Sequence, residues 1–349
     1  MVKKIEKHRD FSSIIQEEFG DILPTKTDEN SGEPVKAIST GSVSLDISTG
    51  IGGIPLGRFT ELYGPDSSGK TTLSMEICSN AIKQGHRVLY IDAENTLDID
   101  YAREIIKDMN DNTFVLIQPE LMEQSMRIAE LAINDGDFNL IVLDSIGSLA
   151  PKKVKEDELT SSNVALLSRF MTTFLQRNAY NVRKSNIAFL GVNQVRDKIG
   201  AYISTFETPG GHAWKHITSL RIQLSRATDI EQDGTKIGIM SRFVIKKNKL
   251  APPYRSFTIP IIFGKGVDTV RDAIEFASML SIMEKRGPYF AFGGETLASG
   301  MNKTIEYLNN NKETLDKIIK ACYDTIDNKN LDEEGDELNG QEFGSRENI

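Results

Sequence analysis

Eight consecutive residues, Gly64-Pro65-Asp66-Ser67-Ser68-Gly69-Lys70-Thr71, fit the phosphate-binding pattern G-x-x-x-x-G-K-[ST] at every fixed position. Glycines let the backbone curl so that its N–H groups face phosphate oxygens, and a helix starting at the loop adds its positive end. Lys70 is expected to reach the β and γ phosphates of a nucleoside triphosphate, and Thr71 to place its hydroxyl on Mg²⁺. A random chain of this length would match about once in a hundred, so a plain glycine-rich turn is the weaker reading.

Three further residues stand where such a loop needs help. Residues 139–144 form an apolar run closed by Asp144, the usual place for a carboxylate that holds Mg²⁺. Glu94 follows the strand-like residues 87–92 and could orient an attacking water, although its spacing suits a helix N-terminal acid nearly as well. The apolar residues 185–192 lead into Asn193-Gln194, where a neutral amide could bond the γ phosphate and lose that contact after hydrolysis. His212 and His216 are four apart, but with only four histidines and no evident third ligand they read as packing or interface residues. Trp214, the single tryptophan, reads as a packing anchor.

The elements that must position these groups alternate. Strands are expected at 58–63, 87–92, 139–144 and 185–192, and helices at 72–83, 101–107 and 122–134. This implies an α/β fold with a mainly parallel sheet and site residues at the carboxyl ends of its strands. Strands resume at 219–224, 241–246 and 257–263, with Lys246-Lys247-Asn248-Lys249 between the last two. Polar stretches at 152–163 and 195–211 read as loops; the second holds Arg196, Lys198, Tyr202 and Phe206, types that grip single strands by charge and stacking. Four regions are expected: a helix and linker over 1–34, a core over 35–267, a small C-terminal domain over 268–330 and an acidic disordered tail over 331–349.

With 39% hydrophobic and 26% charged residues the composition is ordinary, and no apolar run approaches the ~20 residues of a membrane helix. A cytosolic protein without membrane contact is expected, with Cys78 and Cys322 as reduced core residues. The net charge of -9 argues at first against nucleic acid, but residues 331–349 carry seven acids against Arg346. The rest of the chain is close to neutral, which permits a basic groove without predicting one.

Taken together, the segments resemble the RecA recombinase family over residues 36–265. They are Ala37-Ile38-Ser39-Thr40-Gly41-Ser42 with Ser44-Leu45-Asp46, then 64–72, 91–94, Asp144-Ser145, Asn193-Gln194 with Lys198-Ile199-Gly200, Gly210-Gly211, and Lys247-Asn248-Lys249. The resemblance implies a RecA-like ATPase core with an N-terminal helical arm and a small α/β C-terminal domain. It implies an ATP- and Mg²⁺-dependent recombinase that forms a homo-oligomeric helical filament on single-stranded DNA and exchanges strands with double-stranded DNA. Carried over by position, Glu94 polarises water, Gln194 senses the γ phosphate, and Lys247 and Lys249 reach a nucleotide across the subunit interface. Thr71 and Asp144 become the Mg²⁺ partners. Residues 64–72 (Thr72 included), Asp98, Tyr101 and Gly264 become nucleotide contacts, with Tyr101 stacking on adenine. The loops at about 156–165 and 195–209 become DNA loops, with Arg169, Arg196, Lys198, Gly210 and Gly211 as DNA contacts. The N-terminal helix becomes a docking arm for the next subunit.

Asn95 stands where the family usually has histidine, His216 where phenylalanine is common, and the second DNA loop is about one residue short. Two other functions fit a P-loop core: a ring helicase, and a nucleotide-gated binding module. A ring helicase would be expected to use an arginine finger, whereas this chain offers Lys247 and Lys249. A binding module would not need Glu94, Gln194 and an adjacent loop together.

Overall fold

The computed structural model describes residues 17–18, 35–151, 163–197 and 206–329. The chain divides into two units, Met1–Val35 and Lys36–Ile349. Of the first, Glu17 and Glu18 are helical; the rest of the expected N-terminal helix, the linker and the acidic tail lie outside the described residues, as do 152–162 and 198–205 of the two polar loops.

The second unit is built on a nine-stranded sheet. In chain order its elements begin with the short bridge β1 (Ala37–Ile38) and β2 (Ile54–Pro55), with helix α1 (Val43–Thr49) between them. Then come β3 (Phe59–Gly64), α2 (Lys70–Lys83), β4 (Val88–Asp92), α3 (Ile99–Ile105), β5 (Phe114–Ile117), α4 (Met122–Asp135) and β6 (Leu140–Asp144). Helix α5 (Asn163–Lys184), β7 (Ala188–Gln194), the two-residue strands β8 (Arg196–Asp197) and β9 (Phe206–Glu207), and α6 (Gly211–Ile217) follow. The sheet is completed by β10 (Leu220–Gln232), β11 (Thr235–Asn248), β12 (Ser256–Ile262) and β13 (Gly266–Val267). Its strand order is β13-β12-β11-β10-β3-β7-β6-β4-β5. Pairing is parallel from β10 through β5 and antiparallel from β10 to β13.

The parallel strands are apolar on both sides because both sides are covered. Along β6, Leu140 and Val142 join a core with α2 and α3, while Ile141 and Leu143 join a second core with α4, α5 and α6. Trp214 is fully buried in the second, edge-on to Phe59 and Phe189, as a packing anchor should be. Cys78 and Cys322 are buried free thiols. Among the described residues, no helix is long and apolar enough to cross a membrane.

Two expected strands prove much longer. Strands β10 and β11 run on into a hairpin closed by Asp233-Gly234, whose φ angles of 51° and 75° suit a two-residue turn that follows the strand twist. Lys247 and Asn248 therefore lie within β11, with Lys247 opposite Arg221, rather than beyond the strand's end.

A third core gathers α7 (Thr269–Met279), the antiparallel β14 (Met283–Arg286), β15 (Tyr289–Phe292) and β16 (Glu295–Ser299), α8 (Met301–Asn310) and α9 (Lys312–Lys329). Val43 and Ile47 of α1 share it. Asp272 of α7 accepts hydrogen bonds from Ser42 Oγ, Ser44 N and Ser44 Oγ at 2.9, 3.0 and 2.6 Å, locking that helix to the start of α1.

Candidate active site

Parallel pairing brings the carboxyl ends of β3, β4, β6 and β7 to one edge of the sheet, and the loop leaving β3 sits there. Gly64 has no room for a side chain, because a Cβ would stand 2.2 Å from the Leu224 carbonyl oxygen. Gly69 takes φ +90° just before α2. Lys70 opens that helix and donates from Nζ to the carbonyls of Gly64 (3.0 Å) and Pro65 (2.7 Å), so the ammonium is held inside its own loop. Ser68 Oγ also donates to Pro65, and Ser241 Oγ from β11 donates to the Ser68 carbonyl. Burial lowers the Lys70 pKa, against the pull of Asp66, Asp144 and Glu94.

Asp144, last in β6, accepts from Thr71 Oγ1 at 3.1 Å and from Tyr90 OH at 2.7 Å. Burial pushes its carboxyl up to about 6; the Tyr90 and Thr71 hydrogen bonds oppose this, and the Glu94 charge adds to it. Glu94 Oε1 is the meeting point of three donors: Ser145 Oγ at 2.6 Å, Ser148 Oγ at 2.9 Å and Gln194 Nε2 at 3.1 Å. The turn that carries Glu94 is shaped by Asp92, whose carboxylate accepts from the backbone N–H groups of Glu94, Asn95 and Leu97. Asn95 sits there with φ 55°, a left-handed conformation that asparagine tolerates.

These groups surround a cavity of about 380 Å³. The loop contributes Asp66, Ser67, Gly69, Lys70, Thr71 and Thr72; the neighbouring strand ends contribute Glu94, Asp144 and Gln194; α3 contributes Tyr101. A hydroxyl and a carboxylate within hydrogen-bond reach form an oxygen donor set that suits Mg²⁺, which takes one or two protein ligands and the rest from phosphate and water.

Comparison with known proteins decides the family. The family model of the RecA N-terminal domain matches residues 8–268, and that of the RecA C-terminal domain matches residues 271–327. The chain belongs to the RecA family. It is 39% identical to Protein RecA of Aquifex aeolicus over 309 residues, 88% of each chain. It is 36% identical to Protein RecA of Acholeplasma laidlawii over 307 residues, 88% of this chain and 92% of that one. Protein RecA of Acinetobacter baylyi is 37% identical over 302 residues, 86% of each.

Other expected site residues of this RecA-family chain lie around the cavity or away from it. Asp98 caps α3, accepting from the N–H groups of Asp100 and Tyr101, and so sets the helix that presents Tyr101. Gly264, with φ +69°, follows Phe263, which does line the cavity. Lys247 and Lys249 lie outside it: both donate to the His216 carbonyl at the end of α6, and Lys247 also to that of Lys215. Arg169 is exposed on α5, beside a separate groove against α4. Gly210 and Gly211 take φ 101° and 75° at the start of α6. Arg196 has its backbone in β8, and Lys198 lies outside the described residues.

Sequence reasoning missed Arg226, Ile239, Ile261 and Phe263, which close the cavity from the β10–β12 side. The Asp233-Gly234 turn was the available signal, since it makes one long hairpin of two short apolar runs. Of the two serines that hold Glu94, Ser145 stood out only as the neighbour of Asp144 in the resemblance, and Ser148 had no signal of its own.

Proposed function

We propose that the chain is an ATP-dependent DNA recombinase, which assembles a helical filament on single-stranded DNA, hydrolyses ATP in response, and pairs and exchanges strands with homologous duplex. The observation that carries this reading is the 3.1 Å contact between Gln194 and Glu94. The amide expected to sense the γ phosphate touches the carboxylate expected to activate water, and the same amide directly precedes the β8–β9 stem, within the stretch proposed to bind DNA.

Each residue then has a task. Lys70 leaves the Gly64 and Pro65 carbonyls for the β and γ phosphate oxygens. Glu94 orients water and takes its proton, with Ser145 and Ser148 fixing the carboxylate. Thr71 and Asp144 would hold Mg²⁺, which supplies charge neutralisation between the β and γ phosphates. Gln194 exchanges Glu94 for the γ phosphate while triphosphate is bound, and returns after hydrolysis. Tyr101 and Phe263 give the adenine apolar faces, and Lys247 and Lys249 serve a neighbouring subunit's nucleotide.

The test is ATP hydrolysis with and without single-stranded DNA, together with imaging for filaments. Wild type should be stimulated by DNA, whereas Glu94→Gln should lose roughly 10²- to 10⁴-fold in rate while still forming filaments with ATP. A chain that neither responds to DNA nor forms filaments is not a recombinase.

A further inference from the structure

Glu61 is a fully buried carboxylate in β3, three residues before the first loop glycine, and it takes no part in the cavity. Its Oε2 accepts from Arg221 Nε at 2.5 Å, and its Oε1 accepts from Asn193 Nδ2 at 3.0 Å. Both partners reach onward to the same short segment. Arg221, stacked over the Tyr63 ring, donates from its second nitrogen to Thr208 Oγ1 at 3.2 Å. Asn193 donates to the Pro209 carbonyl at 2.9 Å, and its own Oδ1 accepts from the backbone N–H of Gln194 at 3.1 Å.

The topology gives this network its meaning. Asn193 and Gln194 end β7 just before β8, while Thr208 and Pro209 come just after β9; the two short strands pair as Arg196 with Glu207 and Asp197 with Phe206. One carboxylate in the strand that feeds the phosphate loop therefore holds the entrance and the exit of the stem. A buried ion pair brings little net stability compared with apolar residues of the same size, so packing alone gives β3 and β10 no reason for Glu61 and Arg221.

We propose that Glu61, acting through Arg221 and Asn193, is a positioning residue that clamps both ends of the β8–β9 stem, so that a nucleotide-dependent shift of Gln194 moves the stem as one body and sets its grip on DNA. This rests on the recombinase reading above. Without the clamp, Gln194 would still sense phosphate, but only one end of the stem would follow it.

The experiment compares single-stranded DNA affinity of the full chain, by anisotropy of a labelled oligothymidylate, with a non-hydrolysable ATP analogue and with ADP. The readout is the ratio of the two affinities. Glu61→Gln leaves Arg221 without its counter-charge and risks misfolding, so the deciding variant is Thr208→Val, which keeps the Glu61–Arg221 pair and removes one hydrogen bond. Thr208→Val should lower the ratio by roughly fivefold or more, on the scale of ordinary site-to-site coupling, with unchanged thermal unfolding and ATP-analogue affinity. Thr208→Ser, which keeps the hydroxyl, should restore the wild-type ratio. A Thr208→Val ratio equal to a large wild-type ratio overturns the clamp and leaves the recombinase reading standing, and so does an equal loss in Thr208→Ser. A wild-type ratio near one overturns both.

Discussion

Asp144 at the end of β6 and Asp46 in α1 are both nearly inaccessible, and burial pushes both carboxyls up, to about 6 and about 7. Their surroundings differ. Asp46 accepts from Ser39 Oγ, Thr40 N and Thr40 Oγ1 at 2.6, 2.8 and 2.6 Å, and the nearby Asp272 is likewise held by three donors from Ser42 and Ser44. Those oxygens are filled by the chain's own backbone and hydroxyls, and the result is a joint between α1 and α7. Asp144 has two donors and opens onto a cavity that also holds Lys70. The pair teaches that desolvation marks a buried carboxylate without saying what it is for; acceptor capacity left open toward a cavity and a cation is what makes a site.

Substitutions can break this comparison. The largest effect is expected at Lys70: Lys70→Ala should cost roughly 10²- to 10³-fold in ATP hydrolysis and leave thermal unfolding unchanged, since its bonds lie within its own loop. A large drop in melting temperature would place Lys70 with the structural carboxylates instead. Next, Asp272→Ala should destabilise the fold by about 2 to 3 kcal/mol, because it strands buried donors of Ser42 and Ser44, while hydrolysis per folded molecule is retained at low temperature.

The smallest effect concerns pH. Because the folded-state pKa of Asp46 is raised from 3.8 to about 7, the folded chain binds more protons than the unfolded one in that window. The Asp46 contribution to stability is fully present below pH 3.8 and is lost as pH rises through about 7. Asp46→Asn should remove that fall, so urea unfolding at about pH 6 and about pH 8 should show the variant losing about 1 to 2 kcal/mol less than wild type. Parallel profiles would mean that Asp46 does not titrate in the fold.

Much of the site was legible because its parts are local. The loop over 64–71 needs only glycines, a lysine and a hydroxyl at fixed spacing, and Asp144 and Gln194 each close an apolar run, so a strand end could be read with its cavity-lining residue attached. Strands β3, β4, β6 and β7 of the parallel half were legible too, since burial on both faces leaves continuous apolar segments. Strand β5 was missed, being only four residues with one buried, and so was α5, whose first turns adjoin the polar stretch read as a loop. The C-terminal strands β14 to β16 were hidden among short, mixed segments. Arg226 escaped notice because nothing around it in the chain marks a strand end; it reaches the cavity only because β10 runs past the loop.

By itself, the sequence determined that a turn of glycines and a helix start would follow β3, a form suited to phosphate, and that carboxylates and an amide would wait at neighbouring strand ends. These follow from steric freedom, hydrogen-bond capacity and apolar periodicity, all of which act over a few residues. Only the tertiary structure decided that Gln194 meets Glu94, that the hairpin closes the cavity, and that Glu61 reaches both ends of the stem. Those contacts join residues about 100 or more positions apart, and strand order and register bring them together; no local preference encodes either.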